Sequence, residues 1–340
     1  MIFCVTGASG FIGSNLVIKA MKEHEIVILT RNTDKCLEKL IEIKPNIEEY
    51  INKNVFLISY ADALDAYTYL YGSTQDMSIQ IADIDGFIIK IHDKSIKDDI
   101  MAIFDKLMHA DAIINLAGES VVAKALTKRR IDEITQSRLD VIDMLYTIFL
   151  KHDVIHKSRI FLQASATGIY DESENTINES TSCGNNMLAS ILKEVEERVS
   201  SIVAPSHLAI LRFGIVIGKN GGIYKALKGI PPFNIIASNH VPYISLDDAL
   251  EAILFIIKEK KHGIFNFVAP TYCKITQFMH AIFNVKTFLI WVPAFFIKKT
   301  DKRSRLLLQN QKIIPEHLLQ CGFKFKHNAI KDVIFYMHKR

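Results

Sequence analysis

Three glycines close to Met1 have a spacing that suits phosphate binding. The segment from Thr6 to Gly13 reads TGASGFIG, with further glycines at Gly7 and Gly10. In this pattern the first glycine permits a tight turn, the second lets a pyrophosphate approach the backbone, and the third lets a helix pack closely on a strand. The positive end of that helix then faces the phosphates. The pattern predicts a dinucleotide-binding loop made of Gly7, Ser9, Gly10, Phe11, Ile12 and Gly13.

The residue after the second strand of this unit indicates which dinucleotide binds. Proteins that bind NAD usually carry Asp or Glu here for the ribose 2′-hydroxyl. This chain instead has Arg31, between Thr30 and Asn32. A guanidinium can donate two parallel hydrogen bonds to a phosphate, so Arg31 favours the 2′-phosphate of NADP(H). Asp34 is an alternative partner for a ribose hydroxyl.

The segments around the glycines are those that such a loop requires. An apolar run covers Ile2 to Val5, an amphipathic stretch covers Phe11 to Met21, and a second apolar run covers Ile26 to Leu29. A strand, a helix and a second strand in this order form the unit from which parallel sheets are built. Strand-like and helix-like segments continue to alternate as far as residue 213. We therefore expect an α/β fold with a doubly wound parallel sheet of the Rossmann type.

The pattern also indicates a domain organisation. We place a dinucleotide-binding domain at 1–217 and, within it, an insertion at about 46–85, where Tyr-rich segments show no clear period. Beyond residue 217 the pattern is irregular and contains Gly and Pro pairs. We assign 218–340 to a smaller C-terminal substrate lobe, with sheet elements at about 243–268 that return to the first domain.

Composition and charge argue against several other classes of protein. The 340 residues carry 41 basic and 37 acidic side chains, without the basic run that nucleic-acid binding requires. The five scattered cysteines and 12 histidines form no CxxC or HExxH motif, so we expect neither disulfides nor a metal site. No apolar stretch has the roughly 20 residues of a membrane span, and no signal peptide is recognisable. We expect a cytoplasmic monomer or homodimer that acts on a small molecule.

Longer motifs resemble a known family. The segments TGASGFIG at 6–13, NLAG at 115–118 and SATGIY at 165–170 are similar to the extended short-chain dehydrogenase/reductases, in the branch of the sugar-nucleotide epimerases. LRFGIVIGKNGG at 211–222 and the tail LLLQNQKIIPEHLLQCGF at 306–323 look like the "epimerase family" NAD(P)-binding oxidoreductases, which have their own C-terminal domain. The likeness covers nearly the whole chain apart from the expected insertion.

This resemblance implies further cofactor contacts. Leu116, Ala117 and Gly118 would line the adenosine and ribose edge of the cofactor, where small residues allow close approach. The family also places an acid against the adenine. Asp93 fits that role better than Asp62, which lies much farther from the NLAG strand in the sequence.

The resemblance also reveals a departure from the family's chemistry. Short-chain enzymes usually carry a YxxxK pair, in which the lysine lowers the pKa of a tyrosine that transfers a proton. This chain has Met187 and Ile191 at those positions, and neither side chain can transfer a proton. The remaining catalytic candidates are Ser165, Tyr170 and Glu119, which lie where strand ends should border a pocket.

Two interpretations of the function follow from these residues. The first is an NADP(H)-dependent oxidoreductase or epimerase of the extended short-chain class that acts on a small carbonyl or hydroxyl compound. The second is a non-catalytic NADP(H)-binding protein that senses the cofactor or regulates a partner, which the missing Tyr and Lys favour. Arg138, on a long predicted helix, either pairs with Glu119 or binds an anionic substrate.

Overall fold

The computed structural model describes residues 1–71, 94–119, 127–149, 159–219, 221–227, 233–283, 290–293 and 308–339. The strands are β1 (Ile2–Thr6), β2 (Glu25–Thr30), β3 (Val55–Ser59), β4 (Ala112–Asn115), β5 (Ile160–Ala166), β6 (Ser173–Ile177), β7 (Leu208–Phe213), β8 (Ile215–Ile217), β9 (Phe233–Ile236), β10 (Tyr243–Ser245), β11 (Gly263–Phe267), β12 (Ile290–Pro293) and β13 (Gln311–Ile313). The helices are α1 (Phe11–Ala20), α2 (Thr33–Ile43), α3 (Tyr60–Tyr71), α4 (Lys94–Met108), α5 (Lys128–Phe149), α6 (Met187–Ile202), α7 (Gly222–Leu227), α8 (Leu246–Lys258), α9 (Ile275–Phe283), α10 (Glu316–Gln320) and α11 (Ile330–Lys339).

Seven of these strands form one sheet, in the order β11-β7-β5-β4-β1-β2-β3. The pairs β1–β2, β1–β4, β2–β3, β4–β5 and β7–β11 are parallel. The strands β1, β2 and β4 are buried along nearly their whole length, as the apolar sequence runs require of a sheet covered on both faces. The prediction of a doubly wound parallel sheet is confirmed.

The predicted insertion at about 46–85 is wrong for its first part. Val55–Ser59 form β3, which pairs in parallel with β2 at one edge of the sheet, and α3 follows directly. The apolar run of this strand is short, and the segments beside it have no clear amphipathic period. The sequence pattern therefore does not reveal the strand. The rest of the predicted insertion, 72–85, lies outside the described residues.

The chain divides into two compact units. The first comprises Met1–Gly118, Gln136–Gln163 and Arg198–Leu208, and the second comprises Glu119–Thr135, Ala164–Glu197 and Ala209–Arg340. This division differs from the predicted boundary at residue 217, because Glu119–Thr135, Ala164–Glu197 and the residues from Ala209 onward belong to the second unit.

The second unit contains further small sheets and its own apolar core. Parallel pairs form between β8 and β10, between β9 and β12, and between β6 and β13. One core cluster is built around side chains such as Tyr243, Phe278 and Val333, from β10, α9 and α11. Of the segment predicted to return to the large sheet, β11 pairs with β7, whereas β10 pairs with β8. Within the described part of the chain, no helix is both long and apolar enough to cross a membrane.

Candidate cofactor site and catalytic residues

The glycine loop joins β1 to α1 in the first unit. Gly7 has a φ of +71°, a left-handed conformation that favours glycine, and a Cβ atom on it would lie 2.6 Å from the carbonyl carbon of Leu116. A Cβ atom on Gly13 would lie 2.3 Å from the carbonyl oxygen of Gly7, which leaves no room for a side chain. The N–H of Gly10 donates to the same oxygen at 2.9 Å and closes the turn. This backbone geometry suits a pyrophosphate at the N-terminus of α1.

The other predicted loop residues occupy the turn and the first turn of α1. Ser9 is exposed, and Phe11 and Ile12 are half-buried at the start of the helix. The residue that caps this helix is Gly10, which has no side chain to satisfy the first N–H groups. These groups therefore suit an anionic ligand.

A buried ladder of polar side chains crosses β1, β4 and β5 beneath this loop. Thr6 Oγ1 donates to Asn115 Oδ1 at 2.6 Å, and Asn115 Nδ2 donates to Gln163 Oε1 at 2.8 Å. The same Asn115 oxygen accepts from the N–H of Ala117 at 3.2 Å. All three side chains of the ladder are fully buried. The ladder thus fixes the backbone that leaves β4 and runs past Gly7.

Gly118 is the last of the three residues after β4 that were predicted to line the cofactor. It is exposed and has a φ of +154°. A Cβ atom on it would lie 2.9 Å from Cζ and 3.0 Å from Nε of Arg138. The guanidinium of Arg138, a half-buried residue of α5, therefore packs directly on the Gly118 backbone. The structure brings Arg138 together with the NLAG segment, within the first unit.

The cofactor-selecting candidates follow β2 and β3. Arg31 is exposed directly after β2. Next to it in the sheet, Ser59 Oγ at the end of β3 donates to Asp62 Oδ2 at 2.5 Å, and the N–H of Asp62 donates back to Ser59 Oγ at 3.0 Å. Because β3 belongs to the sheet, Asp62 lies just after the carboxyl end of a strand. An acid that contacts the adenine of the cofactor is expected at this edge of the sheet. Asp93, which the sequence favoured for this role, lies outside the described residues.

Ser165 and Tyr170 belong to one buried network in the second unit. Ser165 Oγ donates to Glu196 Oε1 at 2.5 Å. The guanidinium of Arg212 donates to both carboxylate oxygens of Glu196, through Nε at 3.0 Å and Nη2 at 2.6 Å. Arg212 Nη1 also donates to the hydroxyl of Tyr170 at 2.8 Å, and this hydroxyl donates to Asn266 Oδ1 at 2.9 Å. The charged side chains of Glu196 and Arg212 thus connect Ser165 to Tyr170, the two residues predicted from the sequence.

The central ion pair of this network is almost completely removed from water. Arg212 is 2% exposed and Glu196 is 7% exposed. Burial alone would lower the pKa of the Arg212 guanidinium, but its hydrogen bonds and charge interaction with Glu196 outweigh burial and raise this pKa. The Arg212 guanidinium is therefore charged, and its removal would leave the Glu196 carboxylate buried without its ion-pair partner.

The structure does not support a catalytic role for Tyr170. Its side chain is fully buried, and its hydroxyl is shared between Arg212 and Asn266. Burial raises the pKa of this phenol, against the opposing effect of Arg212, so the neutral form is favoured. The sequence pattern could not show this, because the hydrogen-bonding partners are 42 and 96 residues away along the chain.

The positions that usually carry the YxxxK pair lie at the start of α6. Met187 is 42% exposed, whereas Ile191 is 4% exposed and packs in an apolar cluster with Leu188 and Ile169. The side chain in the lysine position therefore contributes to the core. No proton donor replaces the pair at either position.

Glu119 is the first residue of the second unit and forms an ion pair with Arg130, a residue that lies in none of the sequence motifs. Its Oε2 accepts from Arg130 Nη2 at 3.0 Å, and its side chain is 36% exposed. Arg130, itself 6% exposed, also donates to Glu133 at 3.2 Å. Glu119 thus keeps surface through which a ligand can reach its carboxylate.

Among the residues that the structure describes, no group of three or more His, Cys, Asp or Glu side chains is arranged to hold a metal ion.

Comparisons with known proteins place the chain among related sequences. The family model described as "NAD dependent epimerase/dehydratase family" matches residues 3–189, more than half of the chain. The chain is 23% identical to the epimerase family protein SDR39U1 homolog, chloroplastic, of Arabidopsis thaliana over 347 residues, which cover 98% of this chain and 86% of the relative. It is 26% identical to the epimerase family protein YfhF of Bacillus subtilis over 240 residues, which cover 66% of this chain and 77% of the relative.

Solved structures share the fold. The crystal structure of human epimerase family protein SDR39U1 (isoform 2) with NADPH matches with a TM-score of 0.71 and 17% identity, covering 100% of this chain and 99% of the human chain. UDP-glucose 4-epimerase of Thermotoga maritima, solved with UDP-glucose, matches with a TM-score of 0.65 and 15% identity, covering 100% of this chain and 99% of that chain.

Proposed function

Because this chain belongs to the NAD dependent epimerase/dehydratase family, we propose that it is an NADP(H)-dependent oxidoreductase or epimerase of the extended short-chain class. Its substrate is a small carbonyl or hydroxyl compound. The observation that carries the proposal is the backbone of the glycine loop, where Gly7 and Gly13 leave no space for a side chain and α1 begins at a residue without one. The human structural relative, solved with NADPH, supports the same cofactor class.

The residues of the first unit fit this cofactor. The loop from Gly7 to Gly13 would hold the pyrophosphate, and the exposed guanidinium of Arg31 would donate to the 2′-phosphate. Asp62, held by Ser59, would contact the adenine or its ribose. Leu116 and Ala117 would border the cofactor beside Gly7. When bound, the nicotinamide supplies hydride transfer to or from carbon.

Proton transfer must come from groups other than a tyrosine and lysine pair. Glu119 is the partly exposed carboxylate, and the charge of Arg130 holds it in place. Ser165 commits its proton to Glu196, so towards a ligand its oxygen acts as an acceptor, which suits a substrate hydroxyl. We assign Glu119 to proton transfer and Ser165 to holding a substrate hydroxyl, whereas Tyr170 supports the network from inside.

A cofactor titration tests the proposal. NADPH should bind more tightly than NADH, and Arg31→Ala should reduce this preference by about 10- to 150-fold, the effect of losing a hydrogen bond to a charged group. Arg129→Ala is the matched control, because this arginine is 90% exposed and pairs with Glu133. Equal affinity of the unaltered protein for both cofactors would refute the NADP(H) assignment.

A second candidate function is a non-catalytic NADP(H) sensor, which the core position of Ile191 and the buried hydroxyl of Tyr170 favour. A screen of carbonyl and hydroxyl compounds, followed by NADPH absorbance, separates the two. For an enzyme, Glu119→Gln should reduce the rate by about 10² to 10⁴, and Ser165→Ala should raise KM for hydroxyl substrates. Tight NADPH binding without turnover in the whole screen would favour the sensor.

A further inference from the structure

We propose that Arg138 binds an anionic group of the substrate, a carboxylate or a phosphate, beside the end of β4. This inference rests on the proposed function and adds the chemical class of the substrate to it. The residues that carry it, Gly7, Leu116 to Gly118 and Arg138, all belong to the first unit.

The first observation is that the guanidinium of Arg138 packs on the backbone of Gly118. A Cβ atom there would approach Cζ, Nε and Cγ of Arg138 to 2.9, 3.0 and 3.1 Å, so a side chain would push the guanidinium away. The φ of +154° also favours glycine at this position. Gly118 is exposed, and Arg138 is half-buried. The guanidinium therefore packs on an exposed stretch of backbone that carries no side chain at Gly118.

The second observation is that this edge is continuous with the glycine loop. A Cβ atom on Gly7 would lie 2.6 Å from the carbonyl carbon of Leu116 and 2.7 Å from the nitrogen of Ala117. Gly118, on whose backbone Arg138 packs, directly follows Ala117 in the chain. In open parallel sheets, ligands bind at the carboxyl ends of the strands, and both the loop and Gly118 follow such ends.

The chemistry of arginine decides the ligand class. A guanidinium stays charged at all physiological pH values and presents a planar set of donors that matches a carboxylate or phosphate in two parallel hydrogen bonds. Its donors suffice for a protein contact and a ligand together. Arg130, on the same helix, is not an equivalent candidate, because it is only 6% exposed.

The test uses the full chain saturated with NADPH and titrated with inorganic phosphate or oxalate. The readouts are NADPH fluorescence and the thermal unfolding midpoint. Both anions should bind the NADPH complex without displacing NADPH, and Arg138→Gln should weaken their binding by about tenfold or more while leaving NADPH affinity within about twofold. Arg138→Lys should give an intermediate loss, and Arg129→Gln, which removes an exposed charge from the same helix, should bind as the unaltered protein does.

Several outcomes would overturn the proposal. Anion binding that is absent in the unaltered complex, or equal in Arg138→Gln, excludes an anion site at Arg138. A loss of NADPH affinity in Arg138→Gln with unchanged anion binding would show that the arginine holds a cofactor phosphate instead. If the unaltered protein does not bind NADPH, the proposed function fails. The same anion titration of the cofactor-free protein then still decides whether Arg138 binds anions.

Discussion

Replacing Arg212 by methionine should destabilise the protein by about 3 to 5 kcal/mol at pH 7, the usual cost of breaking a buried ion pair. Arg212 and Glu196 are 2% and 7% exposed, so water cannot replace the lost partner. The change removes both hydrogen bonds to the Glu196 carboxylate, at 3.0 and 2.6 Å, and the one to Tyr170. The carboxylate keeps its hydrogen bond from Ser165 but loses the opposite charge.

A double variant separates this explanation from a simple loss of packing. The double variant Arg212→Met with Glu196→Leu removes both charges and should recover more than half of the loss, since apolar side chains of similar size often replace a buried pair at little cost.

Urea unfolding followed by circular dichroism measures these differences. The matched control is Arg198→Met, because Arg198 pairs with Asp143 at 2.6 Å but its side chain is 41% exposed. That change should cost less than about 1 kcal/mol. The reasoning is refuted if Arg212→Met costs no more than Arg198→Met, or if the double variant is no more stable than the single one.

Three further variants test other parts of the structure. Gly13→Ala should lower the unfolding free energy by about 1 to 3 kcal/mol and weaken NADPH binding, because its Cβ atom would lie 2.3 Å from the Gly7 oxygen; a variant with normal stability and binding would contradict this. Tyr170→Phe should cost about 1 to 3 kcal/mol by leaving Arg212 and Asn266 each without one partner, yet leave NADPH affinity unchanged in the same titration. Burial raises the pKa of Glu179, so its ionisation opposes folding and the stability of the protein falls as the pH rises through that pKa. Glu179→Gln should therefore be more stable than the unaltered protein at pH 7, with a difference in urea midpoint that disappears towards pH 4.

The sequence predicts the strand, glycine turn and helix at 2–20 well because all their requirements are local. The strand, the three glycines and the helix from Ile2 to Ala20 follow one another without interruption, and each glycine serves a contact with its near neighbours or with the adjacent strand. By contrast, the sequence pattern does not reveal β3. Val55–Ser59 has only five residues, and this segment is a strand because it pairs with β2.

The buried network could not be predicted for a different reason. Arg212 is the one charged residue in the apolar run of β7, which signals a buried charge, but its partner Glu196 is one of several acidic residues on an amphipathic helix. The pattern on α6 does not distinguish Glu196 from Glu194 or Glu197. Only the packing of α6 against the strands selects it. Ser165 and Tyr170 are the first and last residues of the SATGIY motif, yet their roles depend on those distant partners.

The ladder of Thr6, Asn115 and Gln163 has a consequence for how the strands find their alignment during folding. A parallel strand buried on both faces can slide by two residues and still present apolar side chains to both sides, so hydrophobicity alone discriminates weakly between alignments. In the native register Thr6 pairs with Asn115, and Asn115 pairs with Gln163. Any slip would separate these groups inside a dry sheet, at about 1 to 3 kcal/mol for each unsatisfied one. The three side chains thus favour the native register between strands that are about 50 to 110 residues apart in the chain.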